Sequence, residues 1–557
     1  MFSNMERSVI GKVMATDKTP TTIDEFWFWT SKDLIINPFD VVCVQHIDNS
    51  ITYGVVEEIS HITDSESFLA NFLSSDFGSL SKEAVGNTNR LGMNCVKARV
   101  TGNNKNLFIP VHEGALVSSA SSRDITEALG LNKISNPSVV GYINMYEGSK
   151  NIDRITLPVN VDRRFLIGPE GAHLNISGIS GLAAKTSYAM FLLNALLQAQ
   201  KKEGDVKSAH IIFNVKGCDL LAMDEEPDNG ISEDLKKSYA ELGLEAKPFE
   251  NVTYYYPKGI KDEVISYVQP EHYKCQRKLG KAYQYSFTYE DNKDDIDLLF
   301  ADIDDSTQTI ESIINYILSE REFNELVHWN SFIDKVKTKT QSGVAGGNKD
   351  ITVASWRKFS RIINKIIYKN TLFPSARLSD YQVDIKTAIA NLKQGDTIVI
   401  DIAKLSEGEQ AFVFGSVMRA VQDLRFSNQI DNEKLPERVI LFVDELNKYA
   451  SSDLPKNSPI VKTLLDIAER GRSLGIVLFA AEQFKSAIHD RVKGNCSTHA
   501  YGRTNAIEIS KPDYRYIPNV YKNMMPRLKQ GEYILQNPVF TSVLKIQFPL
   551  PAYKQFK

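Results

Sequence analysis

The chain has 557 residues, 42% of them hydrophobic and 24% charged, which argues against wholesale disorder or a collagen-like repeat and leaves room for three or four compact units. Its 65 basic and 69 acidic side chains give a formal net charge of -4, so no overall positive field attracts polyanions and any nucleic-acid contact must be local. Five scattered cysteines, with no CxxC pair and no histidine at zinc spacing, fit free thiols in a reducing cytoplasm rather than a disulfide scaffold or zinc site.

The opening MFSNMERSVIGK lacks the apolar stretch of an export signal, and SYAMFLLNALL is too short to span a bilayer. A cytoplasmic location with no membrane span is expected. Residues 1–160 then run through short apolar segments, DVVCVQHI, ITYGVVEEI, NCVKARV and LFIPV, separated by Gly, Asn, Asp and Pro. Closely spaced strands with turn signals predict a small β-barrel or sandwich.

From 161 to 557 the texture changes. The runs HLNISG, HIIFNV, DTIVIDI, RVILFVDE, GIVLFAAE and THAYGR alternate with helical patterns, which predicts a mostly parallel sheet covered on both faces. The rhythm lapses over about 222–390, where acidic loops and the helical stretch IESIINYILSEREFNELVHWNSFIDKV read as a mainly helical insertion.

The segment HLNISGISGLAAKTSYAMFLLNALL has the layout of strand, small-residue loop, Lys-Thr pair and long helix. In a phosphate-binding loop of this kind, backbone N–H groups and a helix N-terminus cradle phosphates, the lysine reaches the terminal phosphates and a hydroxyl binds Mg²⁺. The candidate cradle is Gly178, Ser180, Gly181, Leu182, Ala183, Ala184, Lys185, Thr186 and Ser187. It differs from G-x-x-x-x-G-K-[ST] in having Ile179 and Ala184 where glycines would stand. The loop reads as one residue longer, so either Thr186 or Ser187 would be the magnesium ligand.

RVILFVDELNKYA ends a strongly apolar strand on Asp444 and Glu445. Adjacent carboxylates there are costly unless they serve a site at the carboxyl edge of the sheet. Asp444 would hold magnesium through water and Glu445 would act as general base. In AERGRSLGIVLFAAEQF, Gln483 at a strand tip suits a γ-phosphate sensor, and Arg470 or Arg472, or Arg503 after the next strand, would supply charge across a subunit boundary.

On these segments, together with the barrel-like start, HIIFNVKGCD, DTIVIDIAKL, GRSLG and the tail PRLKQGEYILQNP and IQFPLP, the chain resembles the HerA/FtsK group of RecA-like ATPases, HerA-type proteins in particular. The resemblance implies an α/β fold with a RecA-like P-loop ATPase core, an N-terminal barrel and the helical insertion. It implies ATP and Mg²⁺ as ligands and a homo-hexameric ring moving on double-stranded DNA. The barrel would dock a separately encoded nuclease or sirtuin-like effector, in DNA end processing or antiphage defence. By position, Lys185 and Thr186 would bind phosphate and magnesium, Glu445 would be the base, Gln483 the sensor, and Arg470 or Arg472 would act in trans. A nucleotide-switched scaffold with little translocation, or a P-loop ATPase acting on protein, are the rival readings.

Two further stretches are basic. SGVAGGNKD aligns as a second P-loop from Gly343 to Asp350 but lacks a preceding strand and a hydroxyl, and reads as a loop. Lys335, Lys337, Lys339 and Lys349 around it, with the helix carrying Arg357, Lys358, Arg361 and Lys365, form either a solvated face or a DNA-facing element.

Overall fold

The computed structural model describes residues 7–65, 67–74, 92–181, 184–301, 303–305, 307–341, 351–374, 381–426, 435–455 and 458–556. Six antiparallel strands close a barrel in the order β1-β2-β5-β4-β3-β6: β1 Val9–Met14, β2 Glu25–Thr30, β3 Val41–Gln45, β4 Ile51–Thr63, β5 Gly92–Asn103 and β6 Leu116–Ser119. Period-two alternation sends Phe26 and Phe28 of β2 into the barrel with Val13, Val42, Val44, Val56, Val96 and Val117, and leaves Trp27 and Trp29 outside. Gly54 is required where the wall meets this filling, because a Cβ there would lie 2.8 Å from the Phe26 ring. LFIPV, expected as a strand, is the irregular connection between β5 and β6. Its Pro110 has no N–H to give to a ladder.

The second sheet has 13 strands in the order β13-β12-β11-β14-β10-β15-β16-β9-β17-β18-β19-β7-β8. They are β7 Pro137–Met145, β8 Ile155–Asp162, β9 Leu174–Ser177, β10 Ser208–Asn214, β11 Val252–Pro257, β12 Ala282–Tyr285, β13 Gln382–Val383, β14 Thr397–Asp401, β15 Arg438–Asp444, β16 Ile476–Glu482, β17 Thr498–Tyr501, β18 Glu532–Gln536 and β19 Leu544–Gln547. From β13 to β17 every pairing is parallel, and from β17 to β8 every pairing is antiparallel.

The central parallel strands β10, β14, β15 and β16 are buried on both faces, which is why their sequences are continuous apolar runs. One face, with Ile212, Ile440, Phe442 and Phe479, packs on the helix Lys185–Lys202. The other, with Ile211, Phe213, Leu441 and Leu478, packs on the helices Glu407–Phe426 and Pro459–Leu474 and on those of the insertion.

Two domain expectations change. β7 and β8, placed by sequence in the first unit, form the antiparallel edge of the second sheet, because Val140, Ile143, Val159 and Val161 pack against the Lys185–Lys202 helix rather than into the barrel. The interval 222–390 holds the helices Thr309–Ser319, Trp329–Lys339 and Val353–Ile367, but it also supplies β11, β12 and β13, which extend the sheet beyond β14. The barrel sits on the second sheet through the outward residues Val41, Cys43, Tyr53 and Val55, beside Tyr146, whose N–H donates to Asp40 Oδ1 at 2.8 Å.

Candidate active site

The parallel strands run the same way, so their carboxyl ends form one edge, where ligands bind in open α/β sheets. β9, β16 and β15 are neighbours there, and register sets Ser177 opposite Glu482 and Ala481 opposite Asp444. The two motifs, 258 residues apart in sequence, thus meet across a single intervening strand.

After β9 the backbone turns sharply. Gly178 has φ +150° and Gly181 φ +79°; the N–H groups of Gly178 and Ile179 donate to the carbonyls of Glu482 (3.2 Å) and Arg503 (2.8 Å). Leu182 and Ala183 lie outside the described residues. Ala184 is left-handed at φ +50°, a conformation that glycine adopts without a Cβ penalty, and it begins the Lys185–Lys202 helix without a side-chain cap. An uncapped N-terminus leaves first-turn N–H groups for an anion.

Lys185 is buried, and its ammonium donates to Gly178 O at 2.9 Å and Ser180 Oγ at 3.3 Å. Burial lowers its pKa, while Asp444, Glu482 and Glu445 oppose that shift. Thr186 Oγ1 donates to Asp444 Oδ2 at 2.9 Å, and Asp444 Oδ1 accepts the Glu445 N–H at 2.9 Å. The hydroxyl facing the carboxylate is therefore that of Thr186, not Ser187. Such a hydroxyl–carboxylate pair has the hard-oxygen donors that suit Mg²⁺, an ion that keeps several waters and takes one or two protein oxygens.

Glu445 is also left-handed, at φ +56°. Strain of this kind costs about 1–3 kcal/mol and persists only where the surroundings enforce it. One carboxylate oxygen pairs with Lys216, on the loop after β10, and the other with Lys448 at 3.1 Å. Burial pushes the Glu445 pKa up, but the two lysines outweigh it and leave it lowered. Gln483 follows β16, half-buried, between the Gly178 and Leu446 backbones, both of which bond to β16 carbonyls.

Arg470 and Arg472 lie elsewhere. They end the Pro459–Leu474 helix just before β16, at the amino edge, where Arg470 pairs with Asp466 at 3.3 Å and Arg472 Nη1 donates to Glu170 O at 3.2 Å. With β16 spanning seven residues at about 3.3 Å each, that edge is roughly 20 Å from the loop. Arg503 meets the loop of the same copy through its backbone, its carbonyl accepting the Ile179 N–H.

Lys335 and Lys339 both bond to Glu322 at 2.7 Å, and Lys339 is buried against Tyr316. Of Lys335, Lys337 and Lys339, read from sequence as either a solvated face or a DNA-facing element, Lys337 alone is exposed. Lys349 and residues 343–350 lie outside the described residues.

Sequence reasoning passed over the charged layer beneath the edge. Glu482 is wholly buried; Asn175 donates to one of its carboxyl oxygens, and Lys485, which donates to Tyr501 Oη at 2.8 Å, lies nearby. Burial raises Glu482 to about 8 and lowers Lys485 to about 8. Asp401, ending β14, is also buried; it accepts from Asn214 Nδ2 at 2.8 Å and is pushed by burial up to about 6. The available signal was a carboxylate or amide at the ends of β10, β14, β15 and β16.

Below its folded pKa of about 8 but above the ordinary 4.5, Glu482 holds a proton in the native state and none in the unfolded one. Its contribution to stability therefore falls as pH rises through that window. Glu482→Gln, which keeps an acceptor for Asn175, is expected to raise the thermal midpoint at pH 8 by roughly 2 °C and to change it less at pH 5, read by scanning calorimetry.

No family model matches the chain, and no curated protein does. Solved structures that resemble it include the bacterial conjugative coupling protein TrwB in an unbound form, at 10% identity and TM-score 0.42, covering 72% of this chain and 89% of that one. The plasmid coupling protein TrwB with the ATP analogue ADPNP is 11% identical at TM-score 0.43, covering 69% and 87%. EssC (ATPases 2 and 3) from Geobacillus thermodenitrificans is 12% identical at TM-score 0.27, covering 75% and 45%.

The chain's own geometry defines its class. It is an α/β protein with an N-terminal six-stranded barrel and a RecA-like P-loop core. Among the described residues, no helix is long and apolar enough to cross a membrane.

Proposed function

We propose that the chain hydrolyses ATP at the edge formed by β9, β16 and β15, and that a ring of six copies uses the energy to move along double-stranded DNA. The observation that carries this reading is the meeting of Lys185 and Thr186, at an uncapped helix N-terminus, with Asp444 and Glu445. The Gly178–Ser187 segment would wrap the phosphates and Lys185 would neutralise the terminal ones. Thr186 and Asp444 would hold Mg²⁺, which supplies charge neutralisation between the phosphates. Glu445 would take a proton from the attacking water, and Gln483, at the tip of the strand between the two motifs, would sense the γ-phosphate.

Arg470 and Arg472 are too far from the loop of their own copy to act there. Head-to-tail packing of an amino edge on a neighbour's carboxyl edge would let either serve in trans, and such interfaces close into rings. The barrel, whose strands lie between residues 9 and 119, would dock the separate nuclease or sirtuin-like effector, in antiphage defence or DNA end processing. A second reading, a nucleotide-switched scaffold, is favoured by one feature: both oxygens of Glu445 are held by lysines, as in a resting base.

The test is phosphate release by the purified chain with and without linear duplex DNA, with displacement of a triplex-forming strand from the same duplex. Turnover stimulated at least about threefold by DNA, and ATP-dependent displacement, are expected; in barrier terms a threefold stimulation is about 0.65 kcal/mol. DNA-independent turnover without displacement would replace the motor by the scaffold.

A further inference from the structure

We infer that the outer face of the helix Val353–Ile367 is a binding surface for the phosphate backbone of duplex DNA. Residues 351–371 contain no acidic side chain and five cations, Arg357, Lys358, Arg361, Lys365 and Lys369, all exposed. Arg357 Nε donates to Thr340 O at 3.2 Å and Lys369 lies 5.3 Å from the Tyr368 ring. Among the described residues the side chains of Lys358, Arg361 and Lys365 have no hydrogen bond or ion pair with protein. On a chain of net charge -4, five cations in a segment without a carboxylate form a local concentration of positive charge.

The face is rigid. Trp356, Phe359, Ile363 and Ile367 are buried on its opposite side, Phe359 stacked on Phe300 at 4.8 Å and Trp356 on Phe323 at 6.3 Å, and Thr352 caps the first turn by accepting from Ser355 N at 3.2 Å. Arg357, Arg361 and Lys365 recur every four residues, so their row is fixed and spans about 12 Å at 1.5 Å per residue. Duplex DNA offers one negative charge per about 1.7 Å of its axis to such a row, with no demand on sequence.

The observations favour nucleic acid over the other anionic surfaces. A membrane-surface helix needs its apolar side free to enter the lipid, and here that side is consumed by the core. A protein interface needs an apolar centre, and this face exposes one large ring, Tyr368. The helix also ends near the candidate active site's edge: Ile366 O and Glu409 Oε1 both accept from Asn370 Nδ2, and Glu409 is in the first turn of the helix that follows β14. The inference rests on the DNA-binding half of the proposed function and not on hydrolysis.

The test is binding of a labelled mixed-sequence DNA duplex across a salt series, with the full-length chain, a Lys358→Ala/Arg361→Ala/Lys365→Ala variant and a surface control, Lys236→Ala/Lys237→Ala. Every phosphate that is no longer neutralised should reduce the slope of log affinity against log salt by about 0.9, and the triple variant should bind at least about tenfold more weakly at ~100 mM salt. The control should match the unaltered chain. Equal affinity and slope in the triple variant would overturn the inference, as would binding to anionic vesicles with none to DNA. Retained patch-dependent DNA binding by a Glu445→Gln chain, or by a chain that hydrolyses no ATP, would sustain it even if the motor reading fails.

Discussion

Glu445→Gln is expected to reduce steady-state ATP turnover by at least about 100-fold, the lower range for loss of a general base, while ATP affinity changes little. The amide keeps the shape of the side chain and can still accept hydrogen bonds, but it cannot take a proton from water. Glu445 stands at the end of β15 with a left-handed backbone, one residue beyond the carboxylate that receives the Thr186 hydroxyl. That conformation separates the roles of two adjacent acids: Asp444 turns toward the helix N-terminus, and Glu445 is held by Lys216 from the loop after β10 and by Lys448 from three residues further on. Phosphate release measured beside equilibrium ATP binding separates the two effects. Loss of binding in parallel with turnover would assign Glu445 to the phosphates or to the fold.

Lys185→Ala is expected to weaken ATP binding by about 10- to 100-fold, the equivalent of one or two charge-assisted hydrogen bonds, and to abolish measurable turnover with it. Lys185 is the first residue of its helix and is held by Gly178 O and Ser180 Oγ, so its ammonium lies inside the loop it would serve. Because the lysine is buried near Asp444, Glu445 and Glu482, the substitution also removes a cation from an acidic neighbourhood. A shift in thermal midpoint without nucleotide measures that structural share, and titration with a fluorescent ATP analogue measures the loss of binding.

Much of the core was legible because burial on both faces leaves its mark on every residue of a strand. HIIFNV, DTIVIDI, RVILFVDE and GIVLFAAE are all central strands, and the Lys-Thr pair and Asp-Glu pair fall at the ends where a parallel sheet gathers its site. β7 and β8 were read into the barrel because antiparallel strands with one face against a core look the same in either sheet. β11 and β12, rich in tyrosine and set among helices, gave no continuous aliphatic run, so the extension of the sheet through the insertion was not visible.

Side-chain partners were the least legible. Whether Thr186 or Ser187 faces Asp444 depends on where the helix begins, which the longer loop left open until Ala184 was found in the left-handed region. Lys335 and Lys339 look free in sequence, but helix geometry and Glu322 bind them both. The lysines on Glu445 come from different elements, Lys216 from the loop after β10 and Lys448 from three residues beyond Glu445, and no local pattern brings Lys216 there.

The most direct measurement of the central claim is Mg²⁺-dependent ATP hydrolysis by the purified chain, run beside Glu445→Gln and Lys185→Ala. Turnover that requires Mg²⁺, with Glu445→Gln binding ATP but cleaving it at least about 100-fold more slowly and Lys185→Ala binding it about 10- to 100-fold more weakly, is the expected result. An unaltered chain that binds no Mg²⁺-ATP, or variants that hydrolyse as fast as it does, would contradict a nucleotide site between β9 and β15.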